Sequence, residues 1–449
     1  MSKKEIGFYT ATSIVIANMI GTGVFTSLGF QVLGTQSTFA LLLLWVIGGV
    51  VALCGALSYG ELAASMPRSG GEYHYLSKIF HPAIGFLSGW VSVTVGFAAP
   101  VALAAMALGS YSSKVFQGIN PVILACGVVV ALTLIHSTDL RMGSRFQNIF
   151  TFLKVTLIIV FISCGFIFGD GHALSLMPTE QTSIDLMSSS FWVSLVYVSY
   201  AYSGWNASAY MAGEIENPQR NLPRSLFRGT LVVMGLYLLL NFIFLYTVPT
   251  GELAGQLEVG YLAADKIFGD TGGRIMGGVI ALLLISSVSS MILAGPRVAQ
   301  AMGEDIPLLR LFAVKTQKGI PVYAILLQSC ITIVLILTSS FENVLTYVGF
   351  TLSLFTFLTV LGLFVLRIRK PELARPYKTW GYPVTPIIFL ALTGWTMIFV
   401  FRDKPVESLY GLATVGSGLI IYFAGRKKQV ENPSLDAEEI ERNKIQKVA

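Results

Sequence analysis

The sequence predicts an all-α integral membrane protein of twelve transmembrane helices, the first and sixth of them unwound part-way across. Apolar residues fill 54% of 449 positions and charged residues 12%, with a mean hydropathy of +0.70. A soluble domain carries about 25% charged residues. Apolar stretches long enough to cross a bilayer, roughly 18 residues or more, recur from end to end. Two of them are interrupted at corresponding places, one by Ile20-Gly21-Thr22-Gly23-Val24-Phe25 and the other by Tyr200-Ala201-Tyr202-Ser203-Gly204-Trp205.

In chain order the stretches cover about 7–33, 38–66, 83–112, 121–137, 148–169, 189–213, 225–249, 273–301, 322–339, 342–368, 384–401 and 406–424. The matching breaks divide them into a first inverted repeat at 7–169 and a second at 189–368, with two extra helices at 384–424 and a cytoplasmic tail at 425–449. The whole of 1–449 is expected to form a single transmembrane domain.

Lys and Arg orient the bundle, because short cytoplasmic loops collect them. With the N-terminus inside, 24 of the 30 fall on the cytoplasmic side. Lys114, Lys266, Arg274, Arg402 and Lys404 fall outside, and Lys154 lies within a span. Both termini are therefore expected in the cytoplasm. The pI near 9.0 reflects this topology and not a nucleic-acid partner. Met-Ser-Lys-Lys leads directly into a full-length span, so no cleavable signal peptide is expected. Cys54, Cys126, Cys164 and Cys330 fall in spans without metal-ligand spacing, and neither metal nor cofactor is expected.

In lipid an unpaired backbone N–H or C=O is so unfavourable that unwound backbone persists only where it lines a cavity or binds something. Gly21 and Gly23 flank Thr22 and permit close approach to the backbone. The N–H groups freed there, at the positive end of the half-helix starting near Val24, suit a carboxylate. The half-helix ending near Ala201 presents carbonyls at its negative end, which suit an ammonium group. Together these fit an α-amino acid. The alternative is that the glycines only let helices pack closely.

Ile20-Gly21-Thr22-Gly23-Val24-Phe25 resembles the Gly-Ser-Gly-Ile-Phe signature of the amino acid–polyamine–organocation (APC) superfamily. Four further stretches are similar to that superfamily in order. They are Ser58-Tyr59-Gly60-Glu61-Leu62 with Pro67-Arg68-Ser69-Gly70-Gly71-Glu72-Tyr73; Tyr200-Ala201-Tyr202-Ser203-Gly204-Trp205-Asn206; Glu214-Ile215-Glu216-Asn217-Pro218 with Asn221-Leu222-Pro223-Arg224; and Gly295-Pro296-Arg297-Val298. Arg369-Lys370-Pro371-Glu372-Leu373 with Arg375-Pro376-Tyr377-Lys378 is similar to the L-type amino acid transporter branch.

The resemblance covers about residues 8–425 and implies a LeuT-like 5+5 inverted-repeat fold working by alternating access. By position it implies that backbone at Ile20, Gly21, Thr22 and Gly23 holds the substrate carboxylate. Carbonyls of Tyr200, Ala201 and Ser203 would hold the amine, and Tyr200 would close over the substrate as an aromatic gate. Tyr202, Trp205, Asn206 and Asn18 are expected to add pocket contacts, with plain aromatic packing as the alternative for the rings. Ser286, Ser287 and Ser290 are expected to border the side-chain pocket.

Lys154 lies about six residues, roughly 9 Å, inside the fifth span. It either snorkels to the interface or faces the bundle interior as a functional group. The resemblance implies the second: Lys154 matches a lysine of sodium-independent members, and Tyr237 matches a tyrosine that partners it. A fixed ammonium there makes bound sodium unnecessary. Whether Lys154 titrates, giving proton symport, or stays charged, giving exchange, is left open, with exchange favoured by the L-type resemblance.

No Asp or Glu falls between Tyr73 and Thr138, and none lies in the sixth span before Glu214. Neutral L-amino acids are therefore the expected substrates, with a cationic amino acid or polyamine antiporter as the runner-up. The loop Ser112-Ser113-Lys114-Val115-Phe116-Gln117-Gly118-Ile119-Asn120 lacks the cysteine that binds the heavy subunit of animal L-type transporters, so no disulfide-linked heavy subunit is expected. The expectation is a prokaryotic, plasma-membrane relative of open oligomeric state. An enzyme would need convergent His, Asp or Glu at depth, and none is in sight. An amino acid sensor on the same fold is the rival from another class.

Overall fold

The computed structural model describes residues 6–116, 118–138, 143–317 and 319–431. Gln117, the basic residues Lys3, Lys4, Arg141 and Lys318, and the expected tail beyond 431 lie outside them. Among the described residues the regular structure is entirely helical, and ten helices are long and apolar enough to cross a membrane. Two expected spans fall short of that length. Val322–Thr338 has 17 residues, and 189–213 is divided into the helix Ser189–Ala201 and the 3-10 segment Ala207–Glu214. Others run on beyond their apolar core. The stretch expected at 83–112 is helical over Pro82–Val115, with a π-helical turn at Ser92–Gly96. That expected at 273–301 occupies Val259–Asp305, bent at Gly269.

Both interrupted segments are interrupted in space. The helix Phe8–Met19 ends at Ile20, whose ψ of 88° leaves the helical region, and helix resumes at Gly23. Opposite it, Ser189–Ala201 gives way to a turn containing Gly204 at φ +93°. The two breaks pack directly on each other. A Cβ on Gly23 would lie 2.5 Å from the Ala201 Cα, and one on Gly204 would lie 2.7 Å from the Asn18 carbonyl oxygen. Gly21 meets nothing closer than the Met19 carbonyl at 4.0 Å. The residue that must be glycine for close approach is therefore Gly23, and Gly21 faces open space.

The two ends of the bundle are tied by different polar clusters. At the end near the N-terminus, Glu61 is 1% exposed and accepts from Arg367 Nε at 2.8 Å, Arg367 Nη2 at 2.6 Å and the Thr379 N–H at 2.6 Å. Arg375 Nε stands 3.4 Å from the same carboxylate but is not aligned as a hydrogen bond. The Arg367 guanidinium also covers the Tyr382 ring at 3.6 Å. At the other end, Asp185 accepts from the Gln36 and Ser37 N–H groups at 3.1 and 2.7 Å and from Gln181 Nε2 at 2.8 Å. Removing one member of a buried ion pair leaves the other charge uncompensated and destabilises by about 3–5 kcal/mol. Glu61→Gln should therefore lower the melting temperature of the detergent-solubilised protein markedly, whereas the exposed control Glu372→Gln should leave it unchanged.

Candidate functional site

A cavity of about 560 Å³ lies between the two breaks. Gly21, Thr22 and Gly23 form part of one wall, and Tyr200, Ala201 and Ser203 part of another. From there it extends toward the N-terminal face, where its charged liners are Glu72, Glu214 and Arg297. No residue of the Asp185 cluster lines it. The cavity thus extends toward one face, and the Asp185 cluster lies outside its lining. The π turn opens its side: Ser92 and Gly96 line the cavity together with Phe97. Such turns re-aim a helix locally and recur at functional sites.

Three carbonyls at the first break are met by side chains from other helices. Tyr237 Oη donates to Met19 O at 2.6 Å, and Lys154 Nζ to Ile20 O at 3.3 Å. Tyr111 Oη donates to Phe25 O at 2.8 Å and accepts the Gly260 N–H at 3.1 Å. Lys154, 5% exposed, also donates to Ser287 Oγ at 2.7 Å. It therefore points inward and does not snorkel. Lys154 and Tyr237 meet on adjacent carbonyls, not on each other, so the expected direct pairing is replaced by a shared backbone segment. With these carbonyls occupied, what the break offers the cavity is the N-terminal start of the helix at Gly23, whose first N–H groups lack intrahelical acceptors. Across from it the Tyr200 carbonyl accepts the Ser203 N–H at 2.9 Å.

Of the other expected residues, Asn18, Tyr202, Trp205, Asn206 and Ser287 line the cavity, while Ile20, Ser286 and Ser290 do not. Ser286 and Ser287 project about 100° apart around their helix, and Ser287 is the one turned toward the cavity. Ser290 turns back to donate to Ser287 O at 3.0 Å. Tyr202 touches the cavity, but its hydroxyl is tied to Trp45 O at 3.1 Å and its ring packs 5.2 Å from Tyr237. Trp205 stands edge-on to Tyr59 at 4.7 Å. Asn18 is bonded to its own helix at Ile14 O, 2.8 Å away.

Glu72 was not anticipated as a site residue. It sits on the short helix Gly71–Ile79, outside every apolar stretch, yet it is 5% exposed and lines the cavity. Its Oε1 accepts from Tyr59 Oη at 2.6 Å and from Asn206 Nδ2 at 3.1 Å, joining this helix to the second break. Burial pushes its carboxyl up to about 7, although both hydrogen bonds favour the ionised form. The stretch without acidic residues from Tyr73 to Thr138 begins one position after Glu72, which brings a carboxylate to the N-terminal end of the cavity. The available signal was the run Ser69-Gly70-Gly71-Glu72-Tyr73, in which a carboxylate follows two glycines of positive φ.

The amino acid permease family model matches residues 6–423. The large neutral amino acids transporter small subunit 2 of Mus musculus is 30% identical over 440 residues, covering 94% of this chain and 81% of its own. Asc-type amino acid transporter 1 of Mus musculus is 29% identical over 433 residues, with the same shares of the two chains. The b(0,+)-type amino acid transporter 1 of Mus musculus is 27% identical over 433 residues, covering 94% and 88%. A match of this extent, over both breaks and the residues that hold them, means that the chain belongs to the amino acid permease family.

Proposed function

We propose that this protein carries neutral L-amino acids across the plasma membrane without sodium, by alternating access and as an exchanger. The observation that carries the reading is the cavity between the two breaks, with the N-terminal start of one helix on one wall and the C-terminal end of another on the other. The relatives named for large neutral amino acids and as Asc-type transporters support it. In this reading the Gly21–Gly23 backbone takes the carboxylate, carbonyls of Tyr200, Ala201 and Ser203 take the amine, and Tyr200 gates. The twelve-span, 5+5 inverted-repeat architecture with both termini in the cytoplasm belongs to the same proposal. The cavity then opens inward. Lys154, bonded to Ile20 O and Ser287, acts as a fixed charge where a sodium ion would otherwise sit.

A second reading, proton-coupled symport, has Glu72 in its favour, a buried carboxyl at the cavity wall. Uptake of labelled leucine into proteoliposomes, sodium-free and with the lumen empty or loaded with unlabelled leucine, separates the two. Uptake confined to loaded vesicles supports exchange; uptake into empty vesicles that follows an imposed pH gradient supports symport.

Lys154→Ala removes a charge-assisted bond worth about 1.5–3 kcal/mol. It should slow turnover roughly tenfold or more while changing apparent affinity less, as read from initial exchange rates. Gly23→Val should abolish binding by forcing the breaks apart, measured by ligand-induced thermal stabilisation. Glu72 ionises near 7 in the folded protein against an ordinary 4.5. Its contribution to stability is therefore complete below the ordinary value and is lost as pH rises through about 7. The wild-type melting temperature should fall between about pH 5 and pH 8, an effect on the order of 3 kcal/mol, and Glu72→Gln should flatten that fall.

A further inference from the structure

A second cavity, of about 360 Å³, opens on the N-terminal face away from the breaks. Four basic side chains line it: Arg68 from the turn after the helix Thr38–Ser65, His74 and Lys78 one turn apart on Gly71–Ile79, and Lys370 at the end of Phe341–Arg369. Leu366 and Leu373 supply apolar wall, and no carboxylate lines it. The neighbouring cations already have partners. Arg367 lies on Glu61, Arg375 on the carbonyls of Pro371, Leu373 and Lys370, and Arg369 on Ile79 O. Arg68, Lys78 and Lys370 make no ion pair among the described residues.

Topology alone explains why basic residues collect on one face, but it would leave them spread into water. Here two segments distant in sequence, 66–78 and 366–373, bring them around one concavity. Burial, and after it the neighbouring Arg68 and Lys78, hold the His74 imidazole below its ordinary range. Of the acidic groups nearby, Glu61 is enclosed by Arg367, Glu72 lines the main cavity, and Glu372, between Lys370 and Leu373, is exposed and outside the pocket lining. Ile368 and Trp380, 79% and 74% exposed, flank the region as apolar surface suited to a membrane boundary.

We propose that this pocket binds a phosphate group, presented by an anionic phospholipid headgroup or by a free phosphate compound. Three converging ammonium and guanidinium groups recognise a phosphate by charge-assisted hydrogen bonds. The occupant would clamp Gly71–Ile79, whose other face bonds Asn206 through Glu72, to the end of Phe341–Arg369. Placement in the cytoplasmic leaflet rests on the orientation proposed above; binding itself does not, and it is measured without transport.

The test uses the full-length protein, wild type and Lys78→Gln/Lys370→Gln, with Arg68→Gln as a second variant should the double variant fold poorly. Short-chain phosphatidylglycerol, phosphatidylcholine, and sodium pyrophosphate are titrated while melting temperature and lipid retention in native mass spectrometry are read. Phosphatidylglycerol binding that is roughly tenfold weaker in the variant, with phosphatidylcholine inert, supports the lipid source. Pyrophosphate stabilisation lost in the variant, without a phosphatidylglycerol effect, supports the free-phosphate source. Equal responses of wild type and variant to both probes, or no response, overturn the proposal.

Discussion

The backbone of the first broken helix has to be satisfied inside a low-dielectric bundle, and the arrangement around it follows from that requirement. In water the carbonyls of Met19, Ile20 and Phe25 would be hydrated; in a bilayer core the protein must supply the donors itself. It does so with Tyr237, Lys154 and Tyr111, each from a different helix. These residues close the carbonyl side of the break and leave the N-terminal start at Gly23 facing the cavity. Lys154 adds a second consequence, since its bond to Ser287 links the break to the long helix Val259–Ala294.

The same requirement explains the distribution of polar clusters. Buried carboxylates survive when hydrogen-bonded or paired. Glu61 meets this with two arginine bonds and a backbone N–H, and Asp185 with two backbone N–H groups and an amide. Both are anchors. Glu72 is held by two side-chain donors, a phenol and an amide, and burial outweighs them, raising its carboxyl to about 7. It sits where the helix Gly71–Ile79 touches the second break.

Much of the site was legible because its signals are local. Glycines at 21, 23 and 204 mark interrupted helices, and a single lysine inside an apolar stretch stands out by composition. What stayed hidden depended on helix rotation and on distant segments. Ser286 and Ser287 are equivalent in sequence, and only the facing of their helix separates them. Gly21 and Gly23 are equally glycine, yet only Gly23 lies against Ala201. Tyr237 carries no mark of its target, because Met19 lies 218 positions away. Glu72 fell outside the apolar stretches, so a search for charge within them passed over it.

By itself the sequence determined the membrane class, the positions of the long apolar helices and the places where two of them stop being helical. Hydropathy and backbone permissiveness belong to short windows of chain, and neighbours do not alter them. Tertiary structure alone decided which groups face the cavity and which partners close the freed carbonyls. A helix turns about 100° per residue, so small differences in packing choose between adjacent side chains, and donors reach the break from helices that only the fold brings together.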